Sequence, residues 1–349
     1  MTRRALVVCP GRGSYGRDSL GSLAGRSADV DALLDACDAY REAHGRPTVR
    51  SLDAEASYRT TRHVAGEHAS LLTFACAMAD FAELNREGFE VVGVTGNSMG
   101  WYTALAASGA LSLPDAIRLV DTMGAYQQGQ VIGGQVLLPC SSDVSFGVLD
   151  DPAKVAAIDD VLARCRAAGH AADWSIRLGG YGVLGADKEG VRFLLENLPK
   201  ETRGARTFPV QLPMHSAFHT ALLQATSERA RIDLGDLAYR APEVPLIDGR
   251  GTVFRPLHAD PAELAEYTLG HQVVAPYDFT RAVLTALRHT GADVVVALGP
   301  GNSLGGPLAR ILVAAGWTGM RTMDDLPTQE SPVLLSFGVR KQRAQLVAG

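Results

Sequence analysis

The residues whose spacing carries the most chemistry are Gly96, Ser98 and Gly100, in the stretch Val94-Thr-Gly-Asn-Ser-Met-Gly-Trp-Tyr-Thr-Ala-Leu105. A G-x-S-x-G match is the turn that presents a nucleophilic serine when it joins a strand to a helix. Without that context it is a chance-prone pattern, and Ser98 could as well cap the helix after it. A serine hydroxyl is a poor nucleophile near neutral pH. It requires a base within hydrogen-bond reach and N–H donors for the oxyanion, and histidine is the usual base. His215 and His219 stand in Leu212-Pro-Met-His-Ser-Ala-Phe-His-Thr-Ala-Leu222. Their four-residue spacing is that of a metal pair on a helix, but the Glu of H-E-x-x-H is missing and the segment starts like a strand, so no metal is expected. His258 and His289 lie in loop-like or helix-end contexts, and His271 precedes Gln272-Val-Val.

The elements around these residues supply the context. Val91-Val-Gly-Val-Thr95 is a short apolar strand and Met99 to Ala107 is rich in helix formers, so Ser98 falls at a strand-to-helix turn, where the helix start offers free N–H groups. Ala5-Leu-Val-Val-Cys9 is a second buried strand, stopped by the loop Pro10-Gly-Arg-Gly-Ser-Tyr-Gly16. That loop has neither the Lys-Ser/Thr of a phosphate loop nor a full G-x-G-x-x-G, which argues against a nucleotide site. Helical spacing runs from Ser27 to Ala43 and from His63 to Asn85.

From Gly133 the order is strand (Gln135-Val-Leu-Leu138), helix (Asp151 to Ala168), strand (Trp174 to Leu178), strand (Tyr181 to Gly185), helix (Lys188 to Asn197) and strand (Thr207 to Val210). That is the split β-α-β order of a ferredoxin-like module. A helix from His219 to Arg231, a strand at Val244 to Ile247, a helix after Pro276, the apolar strand Asp293 to Leu298 and a last helix after Gly299-Pro-Gly-Asn-Ser303 complete the chain. The expected fold is α/β: a hydrolase-like parallel-sheet domain (residues 1–132 and 206–349) with an inserted ferredoxin-like subdomain (residues 133–205).

Composition narrows the function. The chain has 349 residues, 46% of them hydrophobic, and 33 Lys+Arg against 38 Asp+Glu. A net charge of -5 with no basic block argues against nucleic acid as a partner. The apolar start ends at Cys9-Pro-Gly, too short for a signal peptide, and Leu71 to Ala79 is too short to span a membrane. Five cysteines, odd in number and scattered, suggest buried reduced thiols in a cytoplasmic protein.

In combination, several segments resemble the malonyl-CoA:acyl-carrier-protein transacylase family and the related acyltransferases of polyketide synthases. The family's P-G-Q-G-S reads here Pro10-Gly-Arg-Gly-Ser14, its G-H-S-L-G-E-Y-S-A-L reads Gly96-Asn-Ser-Met-Gly-Trp-Tyr-Thr-Ala-Leu105, and its P-V-S-G-A-F-H-S-P-L-M reads Pro213-Met-His-Ser-Ala-Phe-His-Thr-Ala-Leu-Leu223. Q-L-x-x-P-V-x-W reads Gln272-Val-Val-Ala-Pro-Tyr-Asp-Phe279, and E-x-G-P-G-x-x-L reads Ala297-Leu-Gly-Pro-Gly-Asn-Ser-Leu304. Five segments in order, from Pro10 to about Leu308, are far more specific than any one.

The resemblance selects His219 over His215. It implies a Ser98 nucleophile, a His219 base, and an oxyanion hole from the main-chain N–H groups of Arg12 and Met99. It further implies an acyl-CoA donor and the phosphopantetheine thiol of an acyl carrier protein as acceptor, with no tightly bound cofactor. The setting it implies is fatty-acid-like or polyketide biosynthesis.

Asn97, Trp101, Met123 and Gln272 are the residues expected to line the acyl pocket, and the first three of them depart from the family. The family's L-V-x-x-R-G-x-x-M-Q supplies an arginine for the malonyl carboxylate; here that position is Met123, which cannot pair with it. A malonyl carboxylate beside Met123 would lose about 2 to 5 kcal/mol. An uncharged short acyl group is therefore expected, unless Arg12 or Arg177 reaches into the cleft. Asn97 replaces the family's His and Trp101 its Glu, and the A-N-x-N-S-P-x-Q loop is shortened to Arg177-Leu-Gly-Gly-Tyr181. Asp278 aligns with the position whose carbonyl orients the histidine, so a Ser98–His219–Asp278 triad is expected. An acyl-thioester hydrolase on the same scaffold is the alternative activity. A catalytically silent carrier-protein binding module is disfavoured because Ser98 and His219 are both kept.

Overall fold

The computed structural model describes residues 2–129, 131–142, 148–326 and 331–347. The apolar run Ala5–Cys9 lies within a central strand, Arg3–Cys9, of a six-stranded sheet. Across that sheet the order is Val253–Phe254, Leu246–Ile247, Phe89–Gly96, Arg3–Cys9, Val294–Ala297 and Leu334–Ser336. All neighbouring pairs are parallel except the first. Ala5 to Cys9 and Val294 to Val296 have no solvent exposure, so both faces of these strands are covered. That is why they read as unbroken apolar runs and not as alternation.

Register then sets the site. Cys9 is paired with Gly96, so the two strands end side by side and their loops, starting at Pro10 and Asn97, emerge together. In parallel α/β sheets, ligands bind in the crevice at such carboxyl ends.

A second sheet stands in the order Tyr277–Asp278, Ala172–Leu178, Tyr181–Ala186, Gly134–Pro139, Val210–Gln211. Neighbours among its last four strands run antiparallel, and with the helices Pro152–Ala167 and Lys188–Asn197 the four make a ferredoxin-like arrangement. Its last strand is Val210–Gln211 and not Thr207 to Val210, since Arg206–Phe208 pairs with Glu201–Arg203 in a separate hairpin. Val136, Leu138, Ile158, Leu162, Leu184 and Leu194 form its own core. Tyr277–Asp278 joins it from later in the chain, parallel to Ile176–Arg177. The shortened loop is a two-residue hairpin: Leu178 pairs with Tyr181 across Gly179 and Gly180, whose φ values of +52° and +84° suit glycine.

Three local readings change. The helix expected from His219 begins regularly only at Gln224, because His219 sits at φ +57° and cannot start an α-helix. The helix Leu113–Ala125 has Ser112 as its N-cap and Pro114 in its first turn, signals present in the sequence but not assigned. Gly305–Ala314 is not the last helix, since a three-residue strand, Leu334–Ser336, and the helix Arg340–Leu346 follow. Among the described residues no helix is long and apolar enough to cross a membrane. The five cysteines are buried and unpaired.

Candidate active site

Strand Phe89–Gly96 leads through Asn97-Ser98-Met99 into helix Gly100–Ala107. Ser98 adopts φ +55°, a conformation that strains any side-chain-bearing residue and pushes the hydroxyl out of the turn. The flanking glycines answer to close backbone approach. A Cβ on Gly96 would stand 2.2 Å from the Gly100 carbonyl oxygen, and one on Gly100 would stand 2.3 Å from that of Cys9. Hydrogen bonds fix the turn: Asn97 N–H to Cys9 O (3.0 Å), Gly100 N–H to Asn97 O (2.8 Å) and the Tyr277 hydroxyl to Gly96 O (2.6 Å).

Ser98 Oγ lies 2.7 Å from His219 Nε2, and His219 Nδ1 lies 2.5 Å from the Gln272 carbonyl oxygen. A carbonyl only accepts, so Nδ1 carries the proton and the Nε2 lone pair faces the serine hydroxyl. Burial pulls the His219 pKa down to about 4, leaving a neutral imidazole at pH 7. The histidine backbone is tied as well, its N–H donating to Val273 O (3.1 Å).

The pair opens into a cavity of about 580 Å³ between the two sheets. Arg12, Asn97, Met99, Met123 and Gln272 line it with Ser98 and His219. Two expected residues are elsewhere. Asp278 is not the third member of a triad: its carboxylate caps the helix Phe279–Thr290, accepting from Arg281 N–H at 2.8 Å, while the Gln272 carbonyl occupies the place beside His219 Nδ1. Burial raises the Asp278 pKa, opposed by that backbone hydrogen bond. Trp101 does not line the cavity. It is wholly buried behind the turn, donating from Nε1 to Thr268 (2.9 Å) and meeting Tyr267 edge-on at 4.9 Å. The first turn of its helix aims it away from the serine.

Gln272 does more than line a pocket. Besides its carbonyl, its side-chain amide donates to Ser98 O (3.1 Å) and accepts from the Tyr102 hydroxyl (2.8 Å). It follows a π-helical turn, Tyr267–His271, whose Thr268 anchors Trp101; such turns recur at functional sites. The family resemblance pointed to a carbonyl as the orienting group but aligned it with Asp278, and the carbonyl that does it belongs to Gln272. Tyr277 and His215 were also unassigned. His215 lines the cavity, half-buried, and burial and the nearby Arg12 charge lower its pKa to about 4.

Fold and pair together define an α/β serine–histidine protein with a ferredoxin-like layer over its site. Similar curated proteins and solved structures include malonyl CoA-acyl carrier protein transacylases and a type I polyketide synthase. The transacylase of Salmonella typhimurium is 25% identical over 223 residues, covering 63% of this chain and 65% of that enzyme. The matched segment thus spans just under two thirds of the relative's length. The transacylase structure from Coxiella burnetii superposes with a TM-score of 0.76 at 19% identity, covering 99% of this chain and 97% of that one. A malonyl-transacylase solved in complex with a type II polyketide synthase acyl-carrier protein gives 0.71 at 18% identity over 90% and 94%. No family model matches the chain.

Proposed function

We propose that this protein is an acyltransferase that carries an acyl group from a CoA thioester, through an ester on Ser98, to the thiol of an acyl carrier protein. The observation that carries the reading is the Ser98 Oγ–His219 Nε2 contact of 2.7 Å at a strained strand-to-helix turn. Relatives whose names print malonyl CoA and acyl carrier protein support the choice of donor and acceptor.

Ser98 Oγ attacks the thioester carbonyl carbon as its proton passes to His219 Nε2, and the Gln272 carbonyl steadies the resulting imidazolium through Nδ1–H. The main-chain N–H groups of Arg12 and Met99 receive the oxyanion. Both residues line the cavity beside Ser98, and the loop of Arg12 is adjacent to the serine turn through the Cys9–Gly96 pairing. The C–S bond breaks and His219 returns its proton to the departing thiolate, leaving an acyl-serine. The acceptor thiol then gives its proton to His219 and attacks the ester, and Ser98 leaves with that proton.

The test is the mass of the Ser98 peptide after incubation with malonyl-, acetyl- and longer acyl-CoAs. The expected result is a covalent acyl adduct on Ser98 that a carrier-protein thiol removes. An absent adduct with every donor overturns the covalent reading, and an adduct that water clears as fast as the carrier protein does makes the enzyme a thioester hydrolase.

A further inference from the structure

The cavity carries a charge pattern that the Ser98–His219 chemistry does not use. Arg12 and Arg206 line it together with two histidines held neutral by burial, and among the described lining residues there is neither an aspartate nor a glutamate. Arg206 is exposed, whereas the Arg12 side chain is half-buried inside. The Arg12 guanidinium donates to Gln127 Oε1 (2.5 Å) and Ser70 Oγ (3.4 Å) and lies 4.7 Å from the centre of the Phe218 ring. Every one of these partners is neutral, and among the described residues no carboxylate lies within ion-pair distance of it.

Of the five guanidinium N–H donors, these contacts use two. Burial pulls its pKa down to about 10, so it remains a cation at neutral pH. A partly desolvated cation without an anion is a costly arrangement unless something charged arrives to pair with it.

Its position is as informative as its charge. Gln127 follows Met123 by four residues, one turn along at the end of the helix Leu113–Ala125. The guanidinium therefore stands about one turn from the side chain that replaces the arginine expected from the family resemblance. The other candidate cation is committed elsewhere. Arg177 lies 3.4 Å from the centre of the Trp174 ring, stands 3.7 Å from Asp150 and does not line the cavity.

We infer that Arg12 is the acyl-recognising residue of this cavity and that it pairs with a carboxylate at the far end of the acyl group, a malonyl-type half-thioester. This inference rests on the acyl-Ser98 reading above. One loop then serves both ends of the bound group: the Arg12 main chain faces the thioester oxygen and its side chain the carboxylate. Met123, on the adjacent helix, supplies only apolar lining.

The experiment measures single-turnover acylation of Ser98 by malonyl-CoA and acetyl-CoA. It uses the wild type, Arg12→Gln, Arg12→Lys and the double variant Arg12→Gln/Met123→Arg, each first shown to keep its thermal midpoint. Gln keeps the main-chain N–H and removes the charge. The expected result is that wild type prefers malonyl-CoA and that Arg12→Gln lowers the malonyl-to-acetyl ratio by roughly 30-fold or more, the loss typical of one partner of a buried charge pair. Arg12→Lys keeps part of the preference, since a point charge replaces a fork, and the double variant regains it from the helix Leu113–Ala125. A ratio unchanged by Arg12→Gln, or a wild type that prefers acetyl-CoA, overturns this inference while leaving the acyl-serine intact. A wild type that no thioester acylates overturns the acyl-serine reading and this inference with it.

Discussion

The cavity has two unlike walls. On the catalytic side nearly every determinant is backbone: Ser98 and His219 both sit at positive φ, two glycines permit the turn, and carbonyls of Gln272 and Val273 hold the histidine. On the acyl side the determinants are side chains, namely Arg12 with its partners Gln127, Ser70 and Phe218, and Met123 nearby. Backbone geometry tolerates substitution of side chains that the turn does not require, whereas a recognition group on a side chain can move from a helix to a neighbouring loop. The same nucleophile can thereby keep its mechanism while its substrate contacts are rebuilt.

That contrast can be broken in graded steps. The largest effect is expected from His219→Ala, which removes the base and should slow Ser98 acylation by about 10²- to 10⁴-fold for malonyl- and acetyl-CoA alike, measured by single-turnover mass spectrometry. An effect that falls on one donor only would erase the division between the walls. Arg12→Gln comes next and should act on the malonyl-to-acetyl ratio. The smallest effect belongs to Asp278→Ala. Loss of the cap should reduce stability to denaturant by about 1 kcal/mol and leave the acylation rate within about twofold, the scale of a few tenths of a kcal/mol. A large rate loss would restore the carboxylate to a triad.

The same division explains what the sequence made legible. The strand-to-helix turn at Ser98, the ferredoxin-like order and the helix Lys188–Asn197 follow from apolar period, glycine spacing and capping, all local properties of residue types. The orienting group of His219 was assigned to Asp278 because the family resemblance aligned that position with a histidine-orienting carbonyl and the residue there carries a carboxylate. The Gln272 carbonyl reaches the imidazole only because a π-helical turn delivers it. Trp101 was placed in the pocket because it stands where the resembling family has a Glu, and helix geometry turned it toward Thr268. The reach of Arg12 to Gln127 spans 115 positions, and no local pattern encodes it. Leu334–Ser336 is too short for periodicity to show.

The central claim is that a neutral His219, fixed by a carbonyl, activates Ser98. The most direct test is the rate of Ser98 acylation between pH 4 and pH 8 under single-turnover conditions. Only the neutral imidazole accepts the serine proton, so activity is present above the histidine pKa and lost as pH falls through it. With that pKa lowered by burial to about 4, the account predicts a rate that is level from pH 8 to below pH 6 and falls only toward pH 4. An inflection near pH 6.5, the ordinary value for a solvated histidine, or a profile unaltered in His219→Ala, would contradict it.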